Sequence, residues 1–244
     1  MYPILFRIGD FEITTFGVLV ALGALAGLWV FGRELARTGL PTSGVDAALI
    51  GVLGGLAGAK IVWAIEFRHQ APFLSLVFSR GGLSWFGGFA GGIAAGLWAL
   101  NRRRIPIGPA LAAAAPALAI GHAIGRLGCF FVGDDYGRPT DLPWGVAFPE
   151  GLPPTTVPVH PTQLYEAAGL AVLAWMLVRW RRRGAGDTVV FARYLVLAGT
   201  LRFAIEFIRV NIRIAGPFTL AHLISGAIVL LGLSSMFVNR RDVT

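Results

Sequence analysis

The stretch from Val189 to Ile208, VVFARYLVLAGTLRFAIEFI, decides the class of this chain. About 20 predominantly apolar residues are enough for an α-helix to cross the hydrocarbon core of a bilayer. Arg202 lies inside the stretch, Glu206 follows one helical turn later and Arg209 comes next, so helical geometry predicts the three on one face. A charged side chain at bilayer depth costs from about 3 to more than 10 kcal/mol. We therefore expect this trio to belong to a functional site.

Six further apolar stretches of similar length predict a polytopic membrane protein. The 244 residues are 55% hydrophobic and 14% charged, which is too apolar for an ordinary soluble domain of this length. We predict an all-α fold with seven transmembrane helices in a single membrane-embedded domain, residues 1–244. The predicted spans are Ile13 to Phe31, Ser43 to Ile65, Leu83 to Leu100, Ile107 to Leu127, Thr162 to Trp180, Val189 to Ile208 and Phe218 to Val238.

The distribution of arginine predicts the orientation. Clusters accompany the ends of the first, third, fifth and seventh predicted spans: Arg33 and Arg37; Arg102, Arg103 and Arg104; Arg179, Arg181, Arg182 and Arg183; Arg240 and Arg241. By the positive-inside rule the N-terminus is expected outside and the C-terminus in the cytoplasm. The net charge of +8 is thereby explained by topology, which argues against a nucleic-acid partner. The first span is expected to be a retained helix rather than a cleaved signal.

Cysteine and histidine usage argues against metal and disulfide chemistry. Cys129 is the only cysteine, and the four histidines show no metal-binding spacing. An intrachain disulfide is impossible, and we expect neither a metal nor another cofactor.

Glycine-dense segments allow two interpretations. Small residues four apart let helices pack closely in lipid, which accounts for most glycines of the second and third spans. The run GGLSWFGG, Gly81 to Gly88, combines two glycine pairs with a serine at the start of a span, where backbone donors could face a ligand. From this run we select Gly82, Ser84, Gly87 and Gly88 as candidate substrate-binding residues.

Two polar segments lie near the expected outer face. GRLGCFFVGDDYGR, residues 125–138, carries Arg126, and HPTQLYE, residues 160–166, opens the fifth span. The polar stretch from Gly128 to His160 is expected to form an extracytoplasmic cap. Arg202 and Glu206 alone could be a self-satisfied ion pair, but Arg126 adds positive charge beyond it. Guanidinium groups match phosphate oxygens, so an anionic lipid headgroup is the expected partner.

These residues resemble the prolipoprotein diacylglyceryl transferase family. The likeness rests on the two segments above, the glycine run, the Arg-x-x-x-Glu-x-x-Arg pattern of Arg202, Glu206 and Arg209, and the seven spans with an outside N-terminus. It implies a multi-pass enzyme of the bacterial inner membrane that moves the diacylglyceryl group of phosphatidylglycerol to the lipobox cysteine thiol of a precursor protein. The product is a thioether, and glycerol phosphate is released.

The resemblance also implies residue roles. The family's phosphate-binding arginines correspond to Arg126 and Arg202, and its acidic partners to Asp134 and Glu206. Asp134, His160 or Glu206 is expected to accept the thiol proton. The expected substrate-binding residues outside the glycine run are Gly137, Arg138, Gln163, Tyr165 and Arg209.

This chain departs from the usual pattern of the family at Asp134, where the family has a glutamate, and at four further positions. Phe86 stands where the family has a histidine, Phe16 where it has a tyrosine, and Cys129 and Val132 where it has asparagines. Two alternatives follow from the residues: a lipid-binding relative with another acceptor or no turnover, and a transporter of an anionic lipid or solute.

Overall fold

A computed structural model describes residues 3–9, 11–79 and 82–241, and is mostly helical. The eight helices are α1 Thr15–Arg37, α2 Gly44–Glu66, α3 Phe73–Val77, α4 Trp85–Arg102, α5 Ile107–Val132, α6 Thr162–Arg182, α7 Asp187–Glu206 and α8 Leu220–Arg241. The six strands are β1 Ile4–Ile8, β2 Phe11–Thr14, β3 Val146–Phe148, β4 Thr155–Val159, β5 Arg213–Ala215 and β6 Phe218–Thr219. Every predicted span coincides with one of the long helices.

Within the described residues, five helices are long and apolar enough to cross a membrane by length and composition: α1, α2, α5, α7 and α8. The other two predicted spans correspond to α4, with 18 residues, and α6, with 21. Polar residues of α6, such as Gln163 and Glu166, reduce the apolar character of that helix. The chain is therefore a membrane protein with five candidate spans, and the count of seven stays a prediction.

The predominantly helical character is confirmed, and three short antiparallel β-hairpins, which the all-α prediction did not include, join or precede the helices. Their strands have two to five residues, too short to stand out in a pattern dominated by spans of about 20 residues. In the β5–β6 hairpin, Gly216 has φ of 55° at the turn, a conformation that favours glycine. The β3–β4 hairpin lies within the predicted cap, whose first residues, up to Val132, instead extend α5.

The chain divides into two compact units, one formed by residues 31–110 and the other by residues 1–30 and 111–244. In the 31–110 unit, α2 and α4 pack closely through their glycines. A Cβ atom added to Gly54 would lie 3.0 Å from the carbonyl oxygen of Gly91, and one added to Gly55 would lie 3.2 Å from that of Gly88. This close approach agrees with the small-residue packing expected from the sequence.

In the larger unit, the core is formed by small residues of α5 that face aliphatic residues of α6 and α7. Its buried members are Ala112, Ala115, Ala119, Leu173, Ala174, Leu177 and Val190. α7 also packs against α8. This core fixes the three helices that carry Arg126, Glu166 and Arg202.

Candidate functional site

Arg126 lies near the end of α5, and two carboxylates face its guanidinium group. Its Nη1 donates a hydrogen bond of 2.8 Å to Asp135, and its Nε lies 2.9 Å from Oε2 of Glu166. Within the described residues this Nε has no hydrogen-bond partner, so the contact with Glu166 is an ion pair. The arginine side chain is 12% exposed and that of Glu166 only 2% exposed. Such buried charges are tolerated because they neutralise each other.

Glu166 also faces His122, which lies one helical turn before Arg126 on α5. Nε2 of His122 is 3.7 Å from the second oxygen of Glu166. In contrast to the buried carboxylate, the His122 side chain is 46% exposed. A buried carboxylate therefore connects an accessible imidazole to Arg126.

Asp135 bridges Arg126 and Arg209. One carboxylate oxygen accepts from Arg126, and the other pairs with Nη2 of Arg209. The backbone of Asp135 has φ of 61°, a left-handed conformation that is uncommon outside glycine. The conformation occurs just after the end of α5, and the same residue places its carboxylate between the two guanidinium groups.

Arg209 continues the series of charges to Glu206 and Arg202. Oε2 of Glu206 lies 2.8 Å from Nη2 of Arg202 and 3.8 Å from Nε of Arg209. The sequence predicted the trio on one helical face, but α7 ends at Glu206, so Arg209 lies beyond the helix. The three side chains nevertheless meet, and the trio is brought together as expected.

The remaining oxygen of Glu206 is held by two hydrogen bonds. The Thr219 hydroxyl and the Asn211 amide donate to Oε1, each over 2.7 Å. Thr219 in turn contacts His222, whose Nδ1 accepts from the Thr219 backbone N–H over 3.1 Å. The His222 ring is enclosed by three phenylalanines: Phe203, Phe207 and Phe218. Glu206 is thus fixed from two sides.

The predicted residues of the loop segments meet beside this series. Gly137 donates its N–H to the carbonyl of His160, and Arg138 donates its N–H to the carbonyl of Ile208. The side-chain amide of Gln163 donates to the backbone carbonyl of Asp134. These bonds join the end of α5, the start of α6 and the end of α7.

Tyr165 contacts two residues of the cap, Trp144 and His160. Its hydroxyl accepts from the Trp144 indole over 2.7 Å and lies 3.4 Å from Nδ1 of His160. The two predicted residues His160 and Tyr165 are therefore brought together, at the end of the cap and the start of α6.

Two adjacent aspartates have opposite electrostatic environments. Burial raises the pKa of Asp134 above its ordinary value, partly offset by a hydrogen bond from Cys129. Burial also disfavours charge on Asp135, but the guanidinium groups of Arg209 and Arg126 outweigh it and lower its pKa. The loop carboxylate that pairs with the arginines is therefore Asp135, although the sequence pattern selected Asp134.

The cluster of Cys129, Asp134 and Asp135 places three potential ligand atoms within 4.8 Å of one another. Two guanidinium groups already contact Asp135. Their positive charge disfavours a cation at this position, so the arrangement suits an anion better.

The predicted glycine run lies in the unit of residues 31–110. Ser84 and Gly88 line a shallow concavity of about 420 Å³ together with Ala59, Leu83, Trp85 and Phe89. Gly87 instead meets α2, because a Cβ atom there would lie 2.6 Å from Cβ of Val62. Gly82 has φ of 80° and faces the Trp63 ring. Gly81 lies outside the described residues, and a role of the run in substrate binding stays a prediction.

Comparison with known proteins identifies the family of the chain. The sequence profile described as "Prolipoprotein diacylglyceryl transferase" matches residues 3–238. The chain belongs to the prolipoprotein diacylglyceryl transferase family.

Curated relatives with the name phosphatidylglycerol–prolipoprotein diacylglyceryl transferase align over most of its length. The protein of Geobacter sulfurreducens is 37% identical over 99% of this chain and 96% of its own length. The protein of Vibrio vulnificus is 30% identical over 96% of this chain and 90% of its own length. The protein of Methylobacillus flagellatus is 32% identical over 85% and 83%, respectively.

Four residues of the site were not selected from the sequence. Asp135, Glu166, Asn211 and Thr219 contact the arginines or Glu206. Glu166 stood in the quoted HPTQLYE segment, and its charge at a span entrance was an available signal. Thr219 carries no charge, so only the fold reveals its role.

Two departures from the family pattern lie in contact with the site region. Cys129 stands where the family has an asparagine, and its sulfur atom lies 3.8 Å from Nη1 of Arg126. Phe16, where the family has a tyrosine, packs against Gly128, at which a Cβ atom would lie 3.1 Å from the phenylalanine ring. Both departures place less polar groups beside the end of α5.

Proposed function

We propose that this chain transfers the diacylglyceryl group of phosphatidylglycerol to a cysteine thiol of a prolipoprotein, a step of bacterial lipoprotein maturation. A carbon–sulfur bond forms at the glycerol carbon, and the bond from that carbon to the phosphate oxygen breaks. The thiol loses its proton, and glycerol phosphate leaves. Membership of the transferase family, over residues 3–238, supports this proposal.

In the proposed topology, α4 and α6 complete seven spans in one membrane-embedded domain of the inner membrane, with the N-terminus outside and the C-terminus in the cytoplasm. The alternating arginine clusters support this orientation. The end of α5, the end of α7 and the cap would then lie at the outer face, where a secreted precursor is available.

One observation carries the assignment of the site. Three guanidinium groups, of Arg126, Arg209 and Arg202, are connected in series by the carboxylates of Asp135 and Glu206. A lipid phosphate offers the same kind of oxygen acceptors as these carboxylates. The arrangement is therefore suited to an anionic headgroup at the edge of a membrane.

Two features favour competition by a phosphate. The Asp135 side chain is 41% exposed, so it can yield its position between Arg126 and Arg209 to an entering anion. Nη1 of Arg202 is buried, and the described part of the chain gives it no hydrogen-bond partner. A buried donor of this kind gains from an acceptor in the site.

The arginines would accelerate the transfer by electrostatics. The departing glycerol phosphate gains negative charge as the carbon–oxygen bond breaks, and fixed guanidinium groups stabilise that charge without reorganising. Arg126 and Arg202 are proposed to be the main groups, with Arg209 binding the headgroup. Glu206 orients Arg202, and Gly137, Arg138, Gln163 and Tyr165 are proposed as binding residues. The sequence pattern offered Asp134 and His160 as proton acceptors, and the position that this role requires follows from the direction of the lipid.

Mass spectrometry of a lipobox peptide provides the test. The purified protein in nanodiscs containing phosphatidylglycerol should add a diacylglyceryl group to the peptide cysteine. Arg126→Ala and Arg202→Ala should abolish the adduct, whereas Arg193→Ala should retain it, because Arg193 contacts the Trp180 ring instead of the charged series.

Absence of the adduct with folded protein would overturn the proposed function. Flux of phosphatidylglycerol across sealed vesicles without a covalent product would indicate a transporter in its place.

A further inference from the structure

The proposed reaction requires a group that takes the proton from the acceptor thiol. A cysteine thiol has an ordinary pKa of about 8.5, so only a small fraction is thiolate at neutral pH. A positioned general base typically contributes about 10²–10⁴-fold to the rate of such a step.

The orientation of the bound phospholipid, with its acyl chains in the bilayer, defines on which side of the phosphate this base is needed. The carbon under attack belongs to the diacylglyceryl half of the lipid, so it lies on the bilayer side of the phosphate. A base on the outer side of the phosphate-binding arginines is therefore poorly placed. Asp134 follows Arg126 beyond the end of α5, and His160 is the last residue of the cap, where it contacts Tyr165. Both Glu206 oxygens are engaged.

His122 satisfies the positional requirement. It precedes Arg126 by four residues on α5, which corresponds to about 6 Å along a helix axis. In the proposed orientation α5 runs outward, so His122 lies on the bilayer side of Arg126. A phosphate held at Arg126 would present its ester carbon in this direction.

The surroundings of His122 suit a proton acceptor. Its side chain is 46% exposed, whereas Glu166 beside its Nε2 is 2% exposed and is also paired with Arg126. Within the described residues, Nδ1 of His122 has no hydrogen-bond partner. Glu166 can orient the ring through Nε2 and stabilise the imidazolium, which leaves Nδ1 for the substrate.

We infer that His122 is the general base of the transfer, with Glu166 as its positioning residue; this inference rests on the proposed function. The thiol proton moves to Nδ1 of His122 while the sulfur attacks the glycerol carbon. The carbon–oxygen bond breaks, and its electron pair leaves with the phosphate beside Arg126. The imidazolium then returns its proton to the released phosphate or to water.

Two peptides that differ in one atom test this inference. One is a lipobox peptide with cysteine, and the other carries selenocysteine at the same position. A selenol is a much stronger acid than a thiol and is ionised at neutral pH, so it needs no base. Both are incubated with the full chain in nanodiscs containing phosphatidylglycerol, and the adducts are followed by mass spectrometry.

His122→Gln should reduce kcat for the cysteine peptide by about 10²–10⁴-fold and leave KM for the lipid unchanged. The same preparation should transfer to the selenocysteine peptide at nearly the rate of the unaltered protein, which also shows that the variant is folded. His69→Gln, an exposed histidine of the other unit, is the matched control and should leave both rates unchanged.

Two results would overturn the role of His122. Full activity of His122→Gln on the cysteine peptide would show that no proton is taken there. An equal loss with both peptides would assign His122 to binding or folding. Absence of either adduct with the unaltered protein would instead overturn the proposed function itself, and the inference with it.

Discussion

Arg202 and Glu206 form an ion pair of 2.8 Å across one turn of α7, and the side chain of Glu206 has no exposed surface. Removal of one partner from a buried pair leaves an uncompensated charge, which typically costs about 3–5 kcal/mol. Thr219 and Asn211 fix the same carboxylate, so it is constrained before any substrate arrives. The position of Arg202 is therefore built into the fold.

Glu206→Gln should lower the thermal stability substantially. About 2–4 °C of melting temperature is lost per kcal/mol in a chain of this size, so the loss of the carboxylate beside the partly buried Arg202 predicts a decrease of roughly 10 °C. Thr219→Val removes one hydrogen bond to the carboxylate, and a smaller decrease is expected, whereas Thr219→Ser should retain the bond. Thermal unfolding in detergent measures all three, and equal melting temperatures for Glu206→Gln and the unaltered chain would contradict the assignment.

Arg126→Lys and Arg202→Lys should lose activity although both keep the charge. A lysine ammonium cannot reproduce the planar fork that contacts two acceptors at once. Removal of one fixed donor from an anion-stabilising site typically costs about 10²–10³ in kcat. The rate of peptide lipidation provides the measurement, with Arg193→Lys as the matched control. A similar rate for Arg126→Lys and Arg193→Lys would show that a point charge suffices.

Much of this charged series could be predicted from the sequence, because charges in apolar stretches are conspicuous. Arg126, Arg202, Glu206 and Arg209 were selected on that basis, and all four meet in the fold. The predicted spans also coincide with helices. Both results follow from local features, namely length, hydropathy and helical spacing.

The partners of those charges could not be predicted in the same way, because turns and hairpins bring them into place and local sequence features do not specify these chain reversals. Asp134 was preferred to Asp135, but the left-handed backbone of Asp135 turns its carboxylate toward two arginines. Thr219 reaches Glu206 because the β5–β6 hairpin connects α7 to α8. The hairpins were missed because their short strands carry no pattern longer than a few residues.

Asp134→Asn and Asp135→Asn should change stability in opposite directions at neutral pH. The pKa of Asp135 is lowered by Arg209 and Arg126, so its stabilising contribution is present above the unfolded value of about 3.9 and is lost as the pH falls through the lower folded value. The pKa of Asp134 is raised by burial, so its contribution is present below about 3.9 and is lost as the pH rises through the folded value.

At pH 7 we therefore expect a lower melting temperature for Asp135→Asn and a higher one for Asp134→Asn. The Asp134→Asn difference should shrink as the pH falls through the raised folded pKa toward about 3.9, whereas the Asp135→Asn difference should shrink only as the pH falls below about 3.9 toward the lowered folded pKa. Thermal unfolding in detergent over this pH range provides the measurement. Changes of the same sign in the two variants would contradict the opposite environments.

Gly137→Ala should disrupt the site, because the backbone of Gly137 lies against two other segments. An added Cβ atom would lie 2.7 Å from the carbonyl oxygen of Ile208 and 2.8 Å from Cβ of His160. The methyl group would separate the loop from the end of α7, where Arg209 pairs with Asp135. We expect a large loss of lipidation activity together with a lower melting temperature.

Gly226→Ala in α8 is the matched substitution, because nothing lies within 4 Å of its added Cβ atom. Alanine in a helix interior is favoured over glycine by about 0.5–1 kcal/mol, so this variant should be as stable as the unaltered chain or slightly more stable. The paired comparison separates the close approach at Gly137 from a general intolerance of glycine replacement. Full activity of Gly137→Ala would contradict the prediction, because it would show that the close approach of the loop to the end of α7 is not needed for lipidation.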